Sequence, residues 1–69
     1  MTNEEFLKHV GMEFKIARIR KNLTQKQLAE LTSLSPMAVK NVEDGKKDCH
    51  ILTYKRLYDA LGMDLKVFI

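Results

Sequence analysis

Few residues in this sequence could do covalent or metal chemistry, and they are poorly spaced for it. Cys49 is the single cysteine, His50 follows it directly, and His9 is the other histidine. A thiol beside an imidazole suggests an activated nucleophile, but side chains of adjacent loop residues rarely meet in triad geometry. A metal site built from Cys49, His50 and His9 would lack the second C-x-x-C or H-x-x-x-H pair typical of zinc sites. There is no glycine-rich phosphate loop and no pair of carboxylates on a cleft-sized scaffold. The sequence therefore predicts a non-enzyme with no catalytic residue, no metal ligand and no cofactor.

The chemistry that remains is charge. Net charge is only +3, yet from Phe14 to Val42 the sole acid is Glu30, against Lys15, Arg18, Arg20, Lys21, Lys26 and Lys40. The other acids sit at Glu4, Glu5 and Glu13 and again from Glu43 onward. Such a stripe is either the footprint of a polyanionic partner or a merely solvated face. What decides between them is the set of elements that carries it.

Those elements read as a helix-turn-helix over residues 25–44. Thr24 is a good N-cap, and Gln27 three residues on completes a capping box. Leu28, Ala29 and Thr32 then share one face of a short helix. Ser33 ends it, Leu34 points inward, and Ser35 caps a second helix that opens with Pro36, whose missing N–H would have had no partner there. Val39 and Val42 form the buried side of this second helix, and Gly45 supplies the positive φ that stops it. Two helices of about two turns joined by a short turn form the unit that carries a recognition helix into DNA.

The flanking segments supply the support. Thr2 or Asn3 can cap a long first helix, with Glu4 and Glu5 near its positive end. Phe6, Leu7, Val10, Phe14 and Ala17 share its core face, whereas Met12, Ile16 and Ile19 form a second apolar stripe on another side, either more core or a surface for a partner. Gly11 lies inside this helix at a cost of ~1 kcal/mol relative to Ala, which suits the close approach of another helix. Asn22 is a plausible left-handed terminator. Residues 46–50 read as a connecting loop, and Ile51, Tyr54, Leu57, Ala60 and Leu61 mark a fourth helix ended by Gly62.

Sixty-nine residues, 45% of them hydrophobic and 30% charged, predict one globular all-α domain spanning 1–69. A lone cysteine rules out an internal disulfide and suits a reducing compartment. No apolar run approaches the ~18–20 residues that span a bilayer, and no signal-peptide pattern opens the chain, so the expected location is cytoplasmic, with no membrane partner.

Taken together, Val10-Gly11, Phe14, Ala17-Arg18, Leu23-Thr24-Gln25, Leu28-Ala29-Glu30, Leu34-Ser35, Val39, Val42-Glu43, Gly45-Lys46 and Ala60-Leu61-Gly62 give the chain its likeness. It resembles the phage Cro/repressor-like (xenobiotic-response-element type) helix-turn-helix family from Val10 to Ile69 without a gap. Asn22 and Ser33 stand where glycines are common in that family, and Cys49-His50 replaces a loop that usually contains proline. The resemblance implies a compact lambda-repressor-like bundle of four helices, plus a short C-terminal strand or fifth helix. It implies a sequence-specific transcriptional regulator, a repressor type, acting on a palindromic double-stranded operator as a homodimer.

By the same resemblance Met37, Lys40 and Asn41 fall at base-reading positions, beside a silent Pro36. Met37 suits a thymine methyl, Asn41 an adenine, and Lys40 a guanine or phosphate; each would otherwise be simply exposed. Gln25, Lys26, Ser35, Lys46 and Lys47 fall where the DNA backbone is contacted, and Arg18 and Glu43 match a structural ion pair.

Residues 63–69 are the expected dimerisation segment, with Leu65, Val67, Phe68 and Ile69 at the interface. Its alternation, Leu65, Val67 and Ile69 against Asp64, Lys66 and Phe68, favours a strand that pairs across a two-fold axis. Asp64 capping a fifth helix, with Leu65 and Phe68 buried, is the other reading. A second functional class also stays open: an antitoxin-like interaction module that holds a toxin or another protein, with DNA binding secondary. Asp44 and Asp48, flanking the lysines, favour it slightly.

Overall fold

A computed structural model describes residues 2–47 and 49–63. Four helices follow one another: α1 (Asn3–Arg20), α2 (Gln25–Thr32), α3 (Pro36–Glu43) and α4 (Ile51–Leu61). No strand occurs among the described residues. The fold is the expected all-α bundle.

Side chains set where each helix begins. The Glu5 amide donates to Thr2 Oγ1 at 3.1 Å, with Glu4 and Glu5 in the first turn of α1. At α2 the Gln27 amide donates to Thr24 Oγ1 at 3.0 Å and the Thr24 amide to Gln27 Oε1 at 2.9 Å, closing the capping box. Ser35 Oγ accepts from the Ala38 amide at 3.0 Å, with Pro36 opening α3. The cap of α4 is one the sequence did not suggest: His50 Nδ1 accepts from the Leu52 amide at 3.2 Å. An imidazole nitrogen here does the work usually given to a short oxygen side chain. Asn22 and Ser33 take left-handed backbone at φ 58° and 57°, so both termini hold their conformation without the glycine that would adopt it freely.

The core draws on every helix: Val10 and Phe14 from α1, Leu28 and Ala29 from α2, Val39 and Val42 from α3, and Leu57, Tyr58 and Leu61 from α4. Phe14 lies at its centre, edge-on to Tyr58 with centroids 5.0 Å apart and tilted 6.0 Å from Tyr54. Burial pushes both phenols up to about 12, and for Tyr54 the neighbouring Cys49 adds to the effect. Buried Thr32 spends its hydroxyl on the Leu28 carbonyl at 2.8 Å.

Gly11 explains how α1 meets the end of α3. A Cβ there would lie 2.6 Å from the Glu43 carbonyl oxygen and also clash with that of Val42. The ~1 kcal/mol of helix propensity forgone at Gly11 therefore permits a backbone-to-backbone contact between the two helices. Gly45, at φ 75°, stops α3 and also packs on the Lys8 backbone, where a Cβ would come within 2.9 Å.

Three expected core residues, Phe6, half-buried Leu7 and Ile51, are not in the core. Phe6 is 43% exposed and Ile51 is 77% exposed. Each sits in the first turns of its helix, and both border an open groove between α1 and α4. Tyr58, which the periodic reading passed over, is buried instead. Met12 and Ile19 are exposed and Ile16 is half-buried, so the two ends of that stripe are surface rather than core. No helix among the described residues is long and apolar enough to cross a membrane. Leu65, Val67, Phe68 and Ile69, and with them the choice between strand and fifth helix, lie outside the described residues.

Candidate nucleic-acid interface

The short helix α3 has two unlike sides. Val39 and Val42 pack into the core, while Met37, Lys40, Asn41 and Asp44, spaced i, i+3, i+4 and i+7, make up the opposite side. Met37 is 62% exposed, although an unpaired thioether gains nothing from water. Lys40 Nζ lies 2.6 Å from Asp44 Oδ2, and that hydrogen bond holds the Asp44 carboxyl below its ordinary range. The pair is solvent-exposed and screened by water, so it leaves Lys40 free to exchange partners.

Asn41 turns toward the start of α4. With Ala38, Lys46, His50 and Thr53 it lines a cleft of about 380 Å³. Asn41 is half-buried and Lys46 exposed, so a carboxamide and an ammonium share one concavity. Cys49 and His50 border the same cleft, but their groups are engaged locally: Cys49 Sγ donates to the Lys46 carbonyl at 3.5 Å, and His50 Nδ1 caps α4. Among the described residues no cluster of His, Cys, Asp and Glu could hold a metal ion.

What fixes α3 is a network beneath its C-terminal end. Arg18 Nε donates to Glu43 Oε2 at 2.7 Å and Nη2 to Glu43 Oε1 at 3.1 Å, a two-pronged contact. The side chains are 11% and 2% exposed. Arg18 Nη1 also donates to the Leu23 carbonyl at 2.7 Å. One guanidinium therefore ties together α1, the turn into α2 and the end of α3. Gln25 Nε2 completes the set, donating to Glu43 Oε1 at 3.1 Å. Sequence reasoning did not suggest this last bond, since nothing in the spacing of 25 and 43 signals it.

The expected backbone-contacting residues are distributed unevenly. Gln25 and Lys26 open α2, and Ser35 opens α3 with its hydroxyl capping the helix. Lys26 and Lys46 are exposed and make no ion pair among the described residues. Lys47 is placed differently from its neighbour: its Nζ lies 3.1 Å from Glu4 Oε1, over the start of α1. The structure brings Asn41 and Lys46 together and leaves Lys47 outside their cleft.

Comparison with known proteins agrees with this geometry. A family profile described as a helix-turn-helix domain matches residues 9–67. Among solved structures, the chain is similar to the restriction-modification controller protein C.AhdI from Aeromonas hydrophila. Identity is 26% and the TM-score 0.78, over 94% of this chain and 97% of that one. No curated protein matches. A capped α2, a tight turn and an α3 whose outer side is left free, within a match that covers most of the chain, place this protein in the helix-turn-helix domain family of DNA-binding transcription regulators.

Proposed function

We propose that the protein is a sequence-specific transcriptional repressor that binds a palindromic operator as a homodimer and acts in the cytoplasm. The observation that carries this reading is the outer side of α3: Met37 and Lys40 are exposed and half-buried Asn41 opens into the adjoining cleft, on a helix fixed from below by the Arg18–Glu43–Gln25 network. A pre-positioned helix offers its side chains to base edges without first losing the entropy of ordering itself. On this reading Met37 and Asn41 contact bases, with Asn41 pairing both ways with an adenine, and Lys40 reaches a guanine or a phosphate. Gln25, Lys26, Ser35, Lys46 and Lys47 contact phosphates, where helix N-termini and cations favour an anion. The likeness to a restriction-modification controller protein supports a regulatory role.

Dimerisation through Leu65, Val67, Phe68 and Ile69 would set two copies of α3 about one DNA turn, ~34 Å, apart. Selection from random DNA tests the whole reading. Enrichment of an inverted repeat with half-sites about 10 base pairs apart is expected. Enrichment of no sequence, or of an isolated half-site, would contradict it.

A further inference from the structure

The cleft beside α3 has a second wall with no part in base reading. His50 and Thr53 border it from the start of α4, Ala38 and Asn41 from α3, and Lys46 and Cys49 from the loop that joins the two helices. Lys46 brings a positive charge, and Asn41, His50 and Thr53 each have an N–H or O–H to donate. Cys49 is occupied with the Lys46 carbonyl. No carboxylate borders the cleft among the described residues. Donors around one cation, with no acid among them, suit an anion.

His50 is held in place by its own cap. Its Nδ1 accepts from the Leu52 amide at 3.2 Å, so that nitrogen carries no proton and the ring's N–H is on Nε2. Nε2, across the ring, makes no hydrogen bond among the described residues. The cap therefore sets both the tautomer and the ring orientation. An exposed side chain offers one N–H without first losing the entropy of being ordered. The backbone at this end of α4 is already spent, since the Leu52 amide serves Nδ1 and the Thr53 amide donates to the His50 carbonyl at 3.0 Å. The donor left for the cleft at this position is the imidazole.

We propose that His50 is a DNA phosphate contact: its Nε2–H donates to a phosphate oxygen held in the cleft beside Lys46, while Asn41 on the α3 wall is left for a base edge. This rests on the DNA-binding reading and adds to it a contact without charge. A neutral donor strengthens binding to every sequence and releases no counterion, whereas a lysine strengthens binding and releases one.

His50→Ser separates the cap from the contact, because serine caps a helix well but stops short of the phosphate. Affinity for selected and scrambled duplexes is measured at about pH 8.5, above the range in which imidazoles ordinarily titrate. The folding equilibrium of His50→Ser by urea denaturation should stay within about threefold of the unsubstituted protein's. Its affinity for both duplexes should fall at least about fivefold, with the slope of log K against log salt concentration unchanged. Lys46→Ala should lower affinity and also make that slope shallower. His50→Gln gives up the cap and keeps a donor of similar reach. It should unfold more readily, yet bind DNA at least about twofold more tightly than His50→Ser.

Unchanged affinity in His50→Ser, or a loss accompanied by a shallower slope, would overturn the proposal, and so would His50→Gln binding no better than His50→Ser. If Lys46→Ala weakens binding and His50→Ser does not, DNA binding stands and only the His50 contact falls. If the unsubstituted protein binds neither duplex, both fall. Inorganic phosphate separates the two sources of the anion: saturable binding below about 1 mM that is lost in His50→Ser would give the cleft to a free anion and overturn the DNA assignment.

Discussion

Asn41 and Lys46 share a cleft, but their chemistry toward DNA differs. A carboxamide can match the donor and acceptor of one base edge, while an ammonium responds only to charge. Asn41→Ala should therefore cost ~1–3 kcal/mol at the selected operator and relax preference at one base pair, with non-specific binding nearly unchanged. Lys46→Ala should weaken all sequences alike and reduce the salt slope by about 1 per half-site. Titration of both variants on specific and scrambled duplexes checks this, and equal losses on all DNA would remove Asn41 from base reading. Arg18 and Glu43 act below the interface. Their contacts are short and the carboxylate is almost wholly enclosed, so removing either partner should destabilise the fold by up to ~3–5 kcal/mol. A double-mutant cycle by urea denaturation should return a coupling of at least ~1 kcal/mol. Additive losses would mean the two charges are satisfied independently.

At the scale of the helices, backbone proximity and backbone conformation can be tested against each other. Gly11→Ala should gain ~1 kcal/mol of helix propensity, but its new methyl would meet the carbonyl oxygens of Val42 and Glu43, which a rigid helix end cannot withdraw. A net loss of ~1–3 kcal/mol is expected. Ser33→Gly relieves a left-handed residue at φ 57° and should gain about 0.5–1 kcal/mol. Urea midpoints of the two variants should move in opposite directions; a stabilising Gly11→Ala would show that α1 and α3 stand further apart. The starts and stops of α1, α2 and α3 were legible because caps act over three residues, so Thr24-Gln27 and Ser35-Pro36 carry their own geometry. Phe6 and Ile51 were misread because helical spacing tells which side of a helix is apolar, not how far along it a neighbouring helix extends. The bond from Gln25 to Glu43 joins residues with no local relation, so only the folded chain reveals it. The placement of Lys47 over Glu4 rather than beside Asn41 likewise depends on where the loop after α3 meets α1.

For the whole molecule, net charge and its placement decide how it meets DNA. A charge of +3 is small, but binding depends on which cations reach phosphates. On the proposed reading Lys26 and Lys46 are available in each copy, while Lys40 and Lys47 must first exchange Asp44 and Glu4 for DNA. Exposed pairs of this kind are screened by solvent, so the exchange costs little. A dimer would then neutralise about four to eight phosphates and release the counterions condensed on them. The most direct test is the affinity for the selected operator measured from about 50 to 200 mM salt. The account predicts a linear fall of log K against log salt concentration, with a slope between about −4 and −7. A slope near zero, or no detectable binding even at the lowest salt, would contradict it.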